Sequence, residues 1–82
     1  MPKLPRDLDG AELARALGRI GYSVDRQSGS HIRLTATDPR GQHHVTIPAH
    51  DRLKPGTLSG ILGDIASRLR IGKDELLARL FG

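Results

Sequence analysis

The sequence predicts an α+β domain in which helices pack on one face of a three-stranded antiparallel sheet. Apolar residues recur at helical spacing near both ends of the chain, and between them three short stretches alternate apolar and polar residues with period two. Turns containing Gly or Pro separate those stretches. With 82 residues there is material for one hydrophobic core and not for two. Residues 1–82 are therefore expected to form a single domain, with its core over about 9–69 and a short helix over about 73–81 appended.

The first helix is expected over 9–20. Asp9 is its N-cap, Glu12 completes a capping box, Leu13, Ala16, Leu17 and Ile20 form the apolar stripe, and Gly21 ends it. Strands follow over 22–26, 30–37 and 42–47. Their dry face would hold Tyr22, Val24, Ile32, Leu34, Ala36, Val45 and Ile47, and their wet face Asp25, His31, Arg33, Thr35, His44 and Thr46. Keeping dry residues together pairs Val24 with Ile32 and Tyr22 with Leu34, leaves Gln27, Ser28 and Gly29 as a three-residue loop, and sets Asp25 across from His31. Asp38-Pro39-Arg40-Gly41 suits a type I turn that pairs Thr35 with His44 and Ile32 with Ile47.

After a loop over 48–54, a second helix should start with Pro55 at its first position and turn Leu58, Ile61, Leu62, Ile65 and Leu69 inward. Its other side carries Gly60, Gly63 and Ser67, which weaken a helix unless something approaches closely there. The last helix is capped by Gly72, has Glu75 in its first turn, and presents Leu76, Leu77, Leu80 and Phe81 as its apolar side. Helix, three antiparallel strands, helix is the order of the double-stranded RNA-binding fold, here with an extra short C-terminal helix.

Composition narrows the chemistry. Cysteine is absent, which excludes disulfides, thiolate nucleophiles and thiolate metal sites. Nothing approaches the ~20 apolar residues of a membrane span, so no membrane association and a cytoplasmic location are expected. The formal charge is +4 and the isoelectric point about 10.4, which favours an acidic partner. Ten of the thirteen basic residues are arginine, whose planar fork suits phosphate and hence nucleic acid.

All four histidines lie between residues 31 and 50. His43 should face the dry side in a hydrogen-bonded structural role, and His44 the wet side beside Thr35, as a solvated neighbour or an RNA contact. Being adjacent on one strand they diverge and cannot share an ion, and with no Cys and no HExxH helix no metal is expected; no small-molecule cofactor is expected either. His31 opens the central strand on the wet face, where Asp25 would either fix its tautomer or form a plain surface ion pair. Arg52 and Lys54 precede a helix start whose free amides attract phosphate, unless they are simply solvated charges beside an ordinary proline-started helix.

Three segments are more specific: Gln27-Ser28-Gly29-Ser30-His31, Val45-Thr46-Ile47-Pro48-Ala49-His50, and Leu53-Lys54-Pro55-Gly56-Thr57-Leu58. In this order, within about residues 13–65, they resemble the successive signatures of the HicA toxin family. One departure is Ile32, where many relatives carry a second polar or aromatic residue; Ile32 is expected to face inward. The resemblance implies a bacterial or archaeal mRNA interferase, a metal-independent endoribonuclease of a type II toxin–antitoxin pair, acting on translated messenger RNA and silenced by a HicB antitoxin. It puts the catalytic histidine at His31. Around it, Asp25, Ser30 and His50 are expected to support or orient, His50 either as the acid for the leaving oxygen or as a loop hydrogen-bonder. Arg33, Arg52 and Lys54, with the amides of Gly56 and Thr57, are expected to bind RNA. The alternatives are a non-catalytic RNA-binding module of the same fold, or a dormant toxin that acts mainly as the antitoxin's binding partner.

Overall fold

Asp9 starts the first helix in the way its residue type favours. In the computed structural model, which describes residues 7–49 and 52–82, its carboxylate accepts the Glu12 amide at 2.8 Å while Glu12 accepts the Asp9 amide at 3.2 Å. The helix α1 (Gly10–Gly18) that follows turns Leu13, Ala14, Ala16 and Leu17 inward and stops earlier than the apolar periodicity predicts. Gly21, at φ +99°, then reverses the chain so that the Tyr22 amide reaches the Leu17 carbonyl.

Three antiparallel strands come next, β1 (Ser23–Ser28), β2 (His31–Asp38) and β3 (Gly41–Pro48), with β2 in the middle. Helices α2 (Pro55–Leu69) and α3 (Lys73–Phe81) complete the α-β-β-β-α-α order of an α+β fold. Ile32, Leu34, Val45 and Ile47 of the sheet form one buried cluster with the inward leucines of all three helices, Leu76, Leu77 and Leu80 of α3 included. His31, Arg33, His44 and Thr46, on the other face of the same strands, are exposed. The helices therefore cover one face of the sheet and leave the other open. No helix among the described residues is long and apolar enough to cross a membrane.

The second hairpin has the expected register, with Thr35 opposite His44 and Ile32 opposite Ile47. The first does not. Val24 pairs with Leu34, Gln27 with Ile32 and Ser28 with His31, and a bulge at Asp25 absorbs the extra residue between Val24 and Arg26. This arrangement zips the hairpin down to a two-residue turn, Gly29 and Ser30, with Gly29 at φ +57° where such turns favour glycine. The added ladder pairs and the tighter turn outweigh the bulge, which returns Val24 to the face it shares with Leu34. Val24 is nonetheless not a core residue: on an edge strand it is 54% exposed. Phe81, one position past Leu80 and so about 100° further round the helix, is at the surface too.

The two glycines of α2 differ. The Lys73 stem lies over Gly63, 3.3 Å from where a Cβ would stand, and its ammonium donates to Ser59 Oγ at 2.6 Å. Nothing approaches Gly60. At the far end of the sheet Arg68 of α2 donates to Asp38 at 3.1 Å and to the Gly41 carbonyl at 2.9 Å, tying the helix to the β2–β3 turn.

Candidate active site

His31 owes its place to the Gly29–Ser30 turn, which delivers it as the first residue of the central strand. The ring is exposed, with Ser28 of β1 and Pro48 of β3 opposite it in register. Its one side-chain contact among the described residues is long, 3.5 Å from Nδ1 to Ser30 Oγ. The imidazole is thus carried on a paired strand, with only a long contact at Nδ1 and no partner at Nε2 among the described residues.

Several elements meet at this end of the sheet. The Ala49 amide donates to the Ser30 carbonyl at 2.6 Å, extending the β2–β3 pairing past His31. Gly10 packs directly on Pro48 and Ala49, so closely that a Cβ there would collide with the Pro48 carbonyl. The start of α1 is therefore seated against the end of β3. Asp9 forms a bridge with Arg52, and the Leu53 amide donates to Leu8 at 2.8 Å. The chain then enters α2, whose N-cap Lys54 makes no side-chain capping bond, with Pro55 in the first turn. Lys54, Gly56 and Thr57 are exposed, and among the described residues no side chain caps the first-turn amides as Asp9 does in α1. The Arg52 guanidinium lies 3.1 Å from Asp7, with both side chains about three-quarters exposed. Such a pair is worth well under ~1 kcal/mol and is readily exchanged for a phosphate.

Arg33 follows His31 on the open face, opposite Thr46 on one side and Arg26 on the other. Asp25 does not stand across from His31 as the register expected from the sequence required. The bulge sets it against Arg33, its carboxylate 3.8 Å from the Arg33 guanidinium and 3.3 Å from the Thr35 hydroxyl. The next same-face position along a strand is about 7 Å away, so Asp25 has neighbours of its own and does not orient His31. His50, the other expected supporting residue, lies outside the described residues.

The remaining described histidines divide by face. His43 is packed between the sheet and α2. The Tyr22 hydroxyl is hydrogen-bonded to Nδ1 at 2.6 Å, an Asp64 carboxylate oxygen lies 3.3 Å from Nε2, and the Tyr22 ring meets it edge-on. Both nitrogens are used, as suits a structural histidine. Burial pushes the Tyr22 phenol above its ordinary range; Arg68 opposes this, while Asp64 and Asp38 add to it. His44, one residue on, is exposed and bonds Thr35 through Nδ1 at 2.8 Å. Among the described residues no three His, Asp or Glu side chains converge as a metal-ligand set would.

Sequence reasoning missed Arg26 as a member of the open face, and Asp64 as the partner of His43. No local pattern signals the bulge that moves the first or the helix packing that supplies the second.

No curated protein and no solved structure matches the chain. A family model described as the HicA toxin of bacterial toxin–antitoxin systems matches residues 10–66, from the first residue of α1 into the last turns of α2. That span contains His31 with its turn, the open sheet face and the α2 start, and it is well over half of the 82 residues. The chain belongs to the HicA toxin family.

Proposed function

We propose that the protein is a metal-independent endoribonuclease, a single-domain mRNA interferase with His31 as its general base. The observation that supports this reading is the state of His31: an exposed imidazole with no strong partner, on the open sheet face, beside Arg33. In the proposed reaction a His31 nitrogen takes the proton of a ribose 2′-hydroxyl. The 2′-oxygen attacks the adjacent phosphorus and the bond to the 5′-oxygen breaks, leaving a 2′,3′-cyclic phosphate and, once that oxygen is protonated, a 5′-hydroxyl. His50 is the candidate for returning that proton. Arg33, Arg52 and Lys54, with the Gly56 and Thr57 amides, oppose the charge that builds on the phosphoryl oxygens, where guanidinium forks and an uncapped helix start are effective.

Family membership supports a toxin role and an antitoxin partner, which we take to be a HicB-like protein that covers the open face and His31 in the cytoplasm. The decisive test is cleavage of messenger RNA by the purified protein in EDTA. His31→Ala, with unchanged circular dichroism, should slow the reaction by about 10²- to 10⁴-fold, the usual weight of one positioned acid–base group. Equal rates for parent and variant would end the His31 proposal.

A further inference from the structure

Three strands bring one side chain each to a single hydroxyl on the open face. Thr35 of β2 donates to Asp25 of β1 at 3.3 Å and meets Nδ1 of His44 of β3 at 2.8 Å. A threonine hydroxyl has one proton. With that proton given to Asp25, His44 must supply its own from Nδ1, and the tautomer follows: Nε2 carries the lone pair. That nitrogen is exposed and has no partner among the described residues. The Asp25 bulge makes this possible, since it sets the carboxylate and Arg26 together against Arg33.

The result is a ring acceptor beside the half-exposed Asp25 carboxylate, on a face otherwise furnished with cations and hydroxyls. His31 and Thr35 are four residues apart on one strand, about 13 Å, with Arg33 between them on the same face. That is too far for His31 and His44 to act on one phosphodiester. It suits a strand of RNA lying along β2, its cleaved linkage at His31, its phosphates near Arg33 and Arg26, and a further nucleotide at His44. Of the groups such a nucleotide offers along its backbone, the ribose 2′-hydroxyl is the donor, and it is the group that separates RNA from DNA.

Resting on the nuclease reading above, we propose that His44 Nε2 accepts a hydrogen bond from the 2′-hydroxyl of a nucleotide flanking the one that is cleaved. His44 is a binding residue, and Thr35 and Asp25 are positioning residues that hold its tautomer. The site checks sugar identity away from the reacting ribose.

The test uses two oligonucleotides of one sequence, one entirely ribose and one with a single ribose at the cleaved position and deoxyribose elsewhere. The parent should cleave the all-ribose strand about tenfold faster in kcat/KM, the worth of one such hydrogen bond. His44→Ala should lower the all-ribose rate toward that of the chimera and so shrink the roughly tenfold preference between the two strands. Thr35→Val should act in the same direction, and the double variant should be no worse than His44→Ala alone, because the two residues act as one unit. Equal preference in parent and His44→Ala overturns the inference while leaving the nuclease reading intact. A parent that cleaves neither strand overturns both.

Discussion

The two ends of the sheet are built differently. At the β2–β3 turn, side chains hold the structure: Arg68 ties α2 to Asp38 and Gly41, Arg40 bonds Asp38 and the Arg68 carbonyl, and His43 is clasped between Tyr22 and Asp64. At the His31 end the backbone holds it, through Ala49 on Ser30, Leu53 on Leu8, and Gly10 against Pro48. The difference shows how a small domain leaves the side chains of an open face free. Where main-chain contacts supply the rigidity, His31 and Lys54 need not be spent on the fold.

If that contrast is right, the most damaging change at the His31 end adds a single methyl group. Gly10→Ala drives a Cβ into the Pro48 carbonyl, so α1 must lift from the end of β3. We expect a loss of about 3 kcal/mol in chemical denaturation, and loss of cleavage as His31's surroundings shift. A fully stable, active variant would show that this end is not held by backbone packing.

At the other end, His43→Ala removes an imidazole that bonds the Tyr22 hydroxyl and lies against the Asp64 carboxylate. The expected cost is about 2 kcal/mol, with cleavage per folded molecule unchanged, the reverse of His31→Ala. Lost activity in folded His43→Ala would erase the distinction between the two histidines.

The smallest effect is on pH dependence. The Arg40 amide, the Arg40 guanidinium and Arg68 hold the Asp38 carboxyl below the ordinary carboxylate range, against the opposing effect of burial. Because the folded value is depressed, its stabilising contribution is complete above the unfolded value of about 3.9 and disappears as pH falls through the folded one. Thermal melts should therefore lose stability below pH 4 more steeply for the parent than for Asp38→Asn. Parallel curves would remove Asp38 from the contacts that lock the turn.

Much of this was readable along the chain because the signals are local. Asp9 and Glu12 form their capping box, Pro55 opens α2, α3 spans the predicted residues, and the Asp38–Gly41 turn sets the β2–β3 register. The first hairpin was not readable in the same way. A three-residue loop without a bulge and a two-residue turn with one both keep Ile32 and Leu34 on the core side, so periodicity alone cannot choose between them. The choice moved Asp25 from His31 to Thr35 and put Arg26 on the open face.

Element types, their order and the dry face of β2 and β3 follow from local signals, since spacing, caps and turn residues act within a few positions of one another. What docking of the elements added is the identity of the groups that clasp His43. His43 is occupied because Tyr22 and Asp64, twenty-one residues away on either side, converge on it, and His31 is open because, among the described residues, no element covers its face. Such meetings depend on how helices and strands dock, a property that no stretch of neighbouring residues encodes.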